Sequence, residues 1–311
     1  MMLDLTELIA STLRFAAPLI FAALGGILCE RAGVVNIGLE GLMLTGAFFG
    51  VLGSYLTGSA WAGLLCAIAA GTALALVHAI MTIRFGADQI ISGTALNLIG
   101  LGGTSYLLTQ VYGNPGSSPQ VAGFVSTPVP VLKDIPVLGP ALFAQSWFLW
   151  GALLCAFAVW WFLNRTVTGL RLRASGEAPK VLEAAGVPVL RLRYGAVAAS
   201  GALCGVAGAY LSLCLLTAFS ENMTAGRGFI ALAAVIFGGW NPLRSMVAGL
   251  FFGFASALVI RLPQDMVDAQ FLNMIPYIAT ILALVVFGRG VRGPAAAGVP
   301  YRPGTGGTAK K

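Results

Sequence analysis

Few side chains in this sequence have the type and spacing that catalysis requires. His78 is the only histidine, so neither a Ser/His/Asp nor a Cys/His set can form. A phosphate-binding loop needs a lysine that follows a glycine and precedes serine or threonine, and none of the four lysines does so. The five cysteines lack the paired spacing of a zinc site. The sequence therefore predicts no catalytic residue, no metal site and no enzyme.

A second group of polar residues suits binding rather than bond breaking. Asn36 and Glu40 lie four residues apart in the glycine-rich stretch "NIGLEG", on one face of a helix or beside a break in it. Amides and carboxylates are costly in apolar segments, so they face a cavity or one another. Acids such as Glu221 could instead simply pair with a nearby arginine. The candidates for lining a path are Asn36, Glu40, Ser92, Asn97 and Phe229.

The composition indicates which elements must position these residues. The chain has 311 residues, of which 58% are hydrophobic and 9% charged, and its mean hydropathy is +0.89. A soluble domain carries about 25% charged residues, so this chain is predicted to lie in a lipid bilayer. The 41 glycines suit helices that pack closely in a membrane. The net charge of +7 is interpreted as the excess of basic residues on the cytoplasmic side, not as a nucleic-acid surface.

The apolar stretches predict an all-α, polytopic transmembrane helix bundle with about nine spans, eight to ten being allowed. Two segments, 228–243 and 245–261, are short and are separated only by Arg244, so tilted, broken or re-entrant helices are expected there. The predicted spans lie near residues 9–28, 34–54, 60–82, 88–109, 143–163, 194–217, 228–243, 245–261 and 270–288.

The basic residues predict the orientation. With residues 164–193 in the cytoplasm, fourteen of the eighteen lysines and arginines fall inside. Residues 111–142, with six of the fifteen prolines, then form an outer loop. Residues 1–292 form one membrane domain, and residues 293–311, rich in glycine, proline and alanine, form a disordered cytoplasmic tail.

The charged segment 164–193 stands out between apolar stretches. Pro179 fits the first turn of a short helix near 178–185, and Gly186 fits its C-terminal cap. Arginines on both sides of it would hold the chain ends at the inner membrane surface. From the residues alone, this is either an ordinary cytoplasmic loop or a helix that docks a partner protein.

A family resemblance favours docking. The stretch "GLRLRASGEAPKVLEAAGVPVLRLR" resembles the coupling loop of ABC importer permeases, although Ala178 stands where that family often has Asn or Asp as helix cap. Over residues 15–290 the chain resembles the nucleoside branch of the branched-chain amino acid and ribose permease family. The other stretches that carry the resemblance are "ERAGVVNIGLEGLMLTGAF", "ADQIISGTALNLIG" and "GRGFIALAAVIFGGWNPL".

The resemblance implies a multi-pass subunit of a nucleoside importer in the bacterial inner membrane. It implies three protein partners: an ABC ATPase that binds ATP and magnesium, a second homologous permease, and an extracytoplasmic substrate-binding protein. No cofactor is expected on this chain. The alternatives are a pentose or branched-chain amino acid permease, or an ion-coupled transporter that uses a buried acid such as Glu40. The residues expected to contact the ATPase are Glu177, Lys180, Glu183, Ala184, Ala185 and Gly186.

Overall fold

A computed structural model describes residues 5–124, 145–261 and 292–304, together with Met274 and Ile278. These residues form helices, turns and one isolated antiparallel bridge between Ser117 and Ser220. The helices α3 and α8 continue as π-helical turns, Ile80–Arg84 and Tyr210–Leu215. The helices are α1 Leu5–Arg31, α2 Leu39–Thr57, α3 Ala60–Ala79, α4 Gln89–Tyr112, α5 Trp147–Arg165, α6 Val167–Glu177, α7 Pro179–Ala184, α8 Val189–Ala209, α9 Arg227–Phe237 and α10 Pro242–Arg261.

The helical membrane bundle is confirmed, but the count of about nine spans is not. Among the described residues, six helices are long and apolar enough to cross a membrane: α1, α2, α3, α5, α8 and α10. Helix α4 has 24 residues, about 36 Å in length, but is more polar. The predicted span 228–243 is instead the 11-residue α9, preceded by a non-helical segment. The predicted span 270–288 lies outside the described ranges.

Helix α1 forms the centre of the bundle. From Phe15 to Cys29 its sequence has no charged residue on any side, which is typical of a helix without a solvent-facing side. It packs against α5, α8, α9 and α10, and most of its residues are buried. Helices α3, α5 and α10 bury only one side, and they expose apolar side chains such as Leu65, Phe157 and Phe251 to the surroundings. Such surfaces suit lipid contact.

Glycines set the spacing between α8 and its neighbours α2 and α3. A Cβ atom on Gly208 would lie 2.1 Å from the carbonyl oxygen of Met43, and one on Gly205 would lie 2.4 Å from that of Ala67. Small residues at such contacts let the backbones approach and pack over a large area. The helices α2, α3 and α8 therefore form one tightly packed layer behind the candidate site.

We predict that Gly208→Ala lowers the stability of the chain, whereas Gly102→Ala does not. The added methyl group at position 208 meets backbone atoms, and overpacking of this kind costs about 1–3 kcal/mol. Gly102 on α4 has no atom within 4 Å of an added Cβ. The measurement is thermal unfolding of the purified variants in detergent, followed by size-exclusion chromatography. Equal unfolding temperatures for the two variants would contradict the close approach of α2 and α8.

The charged segment folds as two helices. Helix α7 begins at Pro179 and confirms the short helix predicted near 178–185, and Ala178 makes no side-chain cap. Gly186 ends it with a φ of +77°, a conformation that favours glycine. Arg193 was predicted to anchor the chain at the membrane surface, but it is 2% exposed. Its guanidinium lies beneath the tail, which provides partners that the sequence did not reveal.

The tail differs from its prediction as well. Residues 292–304 make specific hydrogen bonds to α6, α7 and α8, so this part of the predicted disordered tail has a defined position. Residues 305–311 lie outside the described residues. Of the predicted outer loop, residues 113–124 follow α4 without helical structure, and residues 125–142 are not among those described.

Candidate functional site

The chain between α1 and α2, residues 32–38, is unwound. Its backbone groups therefore need partners from elsewhere in the protein, because lipid offers none. The N–H of Val35 donates to Oε1 of Gln89 over 2.6 Å. The carbonyl of Val35 bonds to Nε2 of His78 over 3.0 Å, and the carbonyl of Ile37 accepts from Nδ2 of Asn97 over 3.0 Å. Side chains of α3 and α4 thus hold the unwound segment in place.

Two of the predicted path residues, Asn36 and Ser92, also make hydrogen bonds that support this segment. Asn36 is fully buried, donates to Oγ of Ser200 over 3.2 Å and accepts from the N–H of Gly38 over 3.0 Å. Ser92 bonds through Oγ to Nδ1 of His78 over 2.9 Å. Both residues position the chain that leads into α2.

Glu40, in the first turn of α2, caps the beginning of α9. Its carboxylate accepts from the N–H of Gly226 over 2.7 Å and from the N–H of Gly228 over 2.6 Å. A carboxylate is favourable there, because the first N–H groups of a helix lack partners and carry partial positive charge. Gly226 has a φ of +81°, and a Cβ on Gly228 would lie 2.4 Å from the backbone nitrogen of Glu40. The carboxylate of Glu40 and these two glycines therefore determine where the short helix α9 begins.

A cavity of about 360 Å³ lies beside this cap, between α2, α4 and the segment that leads into α9. This volume lies in the range of small-molecule sites. Polar groups and one aromatic ring form its wall. The side chains of Phe229 and Leu98 are partly exposed at the surface. The lining residues are Glu40, Leu44, Thr94, Asn97, Leu98, Leu101, Asn222, Gly226 and Phe229.

The structure thus brings Glu40, Asn97 and Phe229 together, although they are far apart in sequence. Asn97 lines the cavity and also supports the chain that enters α2. Its Oδ1 accepts from the N–H of Gly41 over 2.8 Å. Thr94 and Asn222 complete the polar wall and are not among the path residues predicted from the sequence. Thr94 lies one helical turn before Leu98, and helical spacing from Asn97 could have indicated it. Asn222 has a φ of +52° in an irregular segment that periodicity does not address.

Another cavity, of about 650 Å³, is larger but less suited to a polar ligand. It lies on the outer surface of α3 and α4, and alanine, leucine, valine and isoleucine side chains form most of its wall. No charged residue lines it. A groove of this composition on a membrane bundle suits a lipid chain.

The second feature singled out by the sequence is α7, which has an exposed surface. Lys180, Ala184, Ala185 and Gly186 are exposed, and Val181 is 70% exposed. No atom lies within 4 Å of a Cβ built on Gly186. Small exposed side chains on a fixed helix allow a partner to approach closely. Of the other residues predicted to contact an ATPase, Glu177 and Glu183 accept hydrogen bonds from the tail.

A membrane bundle with a polar cavity at a helix break has the architecture of a transport permease. Comparison with known proteins agrees, since residues 8–288 match the family described as branched-chain amino acid transport system, permease component. The chain belongs to this family and is a multi-pass membrane protein.

Three curated relatives are similar over most of their length. The guanosine ABC transporter permease protein NupQ of Bacillus subtilis is 41% identical, with 96% of this chain and 98% of the relative covered. The nucleoside ABC transporter permease protein NupC of Lactococcus lactis is 37% identical, with 94% and 96% covered. The guanosine ABC transporter permease protein NupP of Bacillus subtilis is 26% identical, with 89% and 82% covered.

Proposed function

We propose that this chain is the permease subunit of an ABC importer that moves nucleosides across the bacterial inner membrane. The observation that carries the proposal is the cavity where Glu40, Asn97, Asn222 and Phe229 meet at the start of α9. The names of the relatives NupQ and NupC support nucleosides as the substrate class.

The cavity has groups for both parts of a nucleoside. A sugar offers hydroxyl groups, which can donate to the carboxylate of Glu40 and bond to the amides of Asn97 and Asn222. A base offers a flat face, which packs well against the ring of Phe229. A branched-chain amino acid has an aliphatic side chain, which offers no flat face to the ring of Phe229 and no hydroxyl groups to Glu40. The lining therefore favours a nucleoside over that alternative.

The cavity is open on one side, and this supports a second permease as its other wall. Phe229 is 47% exposed and Leu98 is 67% exposed, both beside polar lining residues. Bacillus subtilis has two relatives of this chain, NupQ and NupP, and both are named as guanosine transporter permeases. We infer a pair of homologous, non-identical permeases with the path between them.

The energy for transport comes from a partner in this proposal. An ABC ATPase binds ATP and magnesium, closes on ATP and displaces α7 through its exposed surface. An extracytoplasmic binding protein delivers the nucleoside to the outer side. The chain itself then needs no cofactor and catalyses no reaction.

The test is uptake of labelled guanosine into proteoliposomes that contain the whole complex. We expect uptake that requires ATP and is inhibited by unlabelled nucleosides but not by ribose or leucine. Inhibition by ribose but not by nucleosides would support the pentose alternative. Inhibition by leucine but not by nucleosides would support the amino acid alternative. Uptake driven by an ion gradient without ATP would support a secondary transporter.

A pair of matched variants connects the result to the cavity. Phe229→Leu removes the ring from the wall and is expected to raise the KM for guanosine about two- to tenfold, in line with the 0.5–1.5 kcal/mol of an aromatic contact. Phe251→Leu makes the same change on the exposed side of α10 and should leave the KM unchanged. Equal KM values for both variants would exclude Phe229 from the substrate site.

A further inference from the structure

The tail residues 292–304, named here the C-terminal strap, cross the cytoplasmic end of the bundle beside α7. Two hydrogen bonds donated by backbone N–H groups fix the start of the strap to the end of α6. The N–H of Ala296 donates to the carbonyl of Gly176 over 2.8 Å, and the N–H of Ala295 donates to Oε2 of Glu177 over 3.2 Å. The strap is therefore attached to the chain immediately before α7.

Glu183 of α7 is bound by the other end of the strap. Its carboxylate accepts a short hydrogen bond from the hydroxyl of Tyr301 and another from the N–H of Gly304 over 3.2 Å. The ring of Tyr301 is buried with Leu182 and Val189 in a small apolar cluster. Burial and the hydrogen bond to Glu183 raise the pKa of Tyr301 to about 12.

Arg193, at the start of α8, connects the strap to the bundle. Its guanidinium lies 5.4 Å from the centre of the Tyr301 ring, a cation–π distance. Nη2 donates to the carbonyl of Ser175 over 3.2 Å, and Nη1 donates to that of Val299 over 3.5 Å. A buried cation without such partners would be costly. These contacts therefore stabilise both the buried guanidinium of Arg193 and the position of the strap.

The strap also lies against the elements that lead to the cavity. A Cβ on Gly293 would be 3.1 Å from the ring of Trp240, just beyond the end of α9. A Cβ on Gly298 would be 3.8 Å from the side chain of Val35, in the unwound segment before α2. Ser175 adds a further link, because its Oγ donates to the carbonyl of Ala32 over 3.0 Å. The strap and α6 thus contact the unwound segment that leads to Glu40 and the chain just beyond the far end of α9, the helix whose start Glu40 caps.

We propose that Tyr301 is a positioning residue for energy coupling and that the C-terminal strap transmits the displacement of α7 to the cavity. A short helix of six residues that is exposed on its partner side needs a rigid support to pass on a movement. Tyr301 supplies it through Glu183 on α7 and Arg193 on α8. The proposal rests on the proposed function, since it requires an ATPase that moves α7.

The test compares two variants of Tyr301 with a matched control in the reconstituted complex. Tyr301→Phe removes the hydroxyl bonded to Glu183 and keeps the ring over Arg193, whereas Tyr301→Ala removes both. Tyr55→Phe removes a hydroxyl from an exposed tyrosine at the far end of α2, where the ring contact with Tyr112 remains. ATP hydrolysis, guanosine uptake and the amount of ATPase bound are measured for each complex.

We expect Tyr301→Phe to lower the number of guanosine molecules transported per ATP about threefold and Tyr301→Ala about tenfold or more, with the ATPase still bound and still hydrolysing ATP. The control should match the wild type. A purely structural role predicts less assembled complex with an unchanged ratio, and that result would overturn the proposal. If Tyr301→Ala does not assemble, the ratio for Tyr301→Phe decides alone. Absence of ATP-dependent uptake in the wild type would instead refute the proposed function.

Discussion

Replacing Glu40 with alanine is expected to reduce guanosine uptake by about tenfold or more. The carboxylate is the acceptor for the N–H groups of Gly226 and Gly228, and both would lose their partner. Each unsatisfied buried donor costs about 1–3 kcal/mol, which is enough to shift or fray the start of α9. Because Glu40 and Phe229 line the same cavity, that shift changes the cavity itself.

Two further variants make this prediction specific. Glu40→Gln keeps one acceptor oxygen and is expected to retain part of the uptake. Glu7→Ala removes an acid of the same kind whose side chain is 75% exposed and pairs with Arg261 over 3.4 Å. Exposed ion pairs contribute about 0–1 kcal/mol, so uptake by Glu7→Ala should stay within about twofold of the wild type. Wild-type uptake by Glu40→Ala would show that the cap of α9 does not matter for transport.

Substitution of Ala184 by arginine is expected to release the ATPase from the complex. Ala184 is the last residue of α7 and is exposed among small residues, so a long charged side chain prevents close approach of a partner. Disruption at the centre of an interface costs about 2 kcal/mol or more, or about 30-fold in affinity. The measurement is the amount of ATPase and of second permease that copurifies with the tagged chain in detergent.

The control for this experiment is Asn164→Arg, at the end of α5. Asn164 is also exposed, and its side chain only bonds to the carbonyl of Trp160 over 2.8 Å. We expect Ala184→Arg to lose the ATPase and keep the second permease, and Asn164→Arg to keep both. Loss of the ATPase from both variants would mean that the contact is not specific to α7.

The sequence predicted those features that depend on local signals. Pro179 and Gly186 mark the two ends of α7 through backbone preferences that need no distant partner. The low charge and high hydropathy predicted the membrane bundle for the same reason. Glu40, Asn97 and Phe229 were selected as polar or aromatic residues in apolar surroundings, and the structure places all three on one cavity wall.

Features that depend on distant contacts were not predicted. The start of α9 is set by Glu40, nearly two hundred residues earlier in the chain, so hydropathy gave a full span instead of a half-length helix. Likewise, the sequence did not reveal that Asn36 bonds to Ser200 on α8, more than 160 residues away. Arg193 was placed at the membrane surface because nothing in the neighbouring sequence reveals the ring of Tyr301 above it. Pairings of this kind require the tertiary structure.

Tyr301 follows all of the helices α1 to α10 in the chain, and this order affects how the protein is made. Chains are synthesised from the N-terminus, and earlier segments can fold before later ones emerge from the ribosome. The membrane helices up to α10 can therefore be inserted in the bilayer before Arg193 and Glu183 receive their partners from the strap. A ribosome that stopped before residue 301 would release a product with these helices in the membrane but with a buried arginine still lacking its aromatic partner. Such a product is expected to bind the ATPase but to transport less nucleoside per ATP than a chain that includes Tyr301.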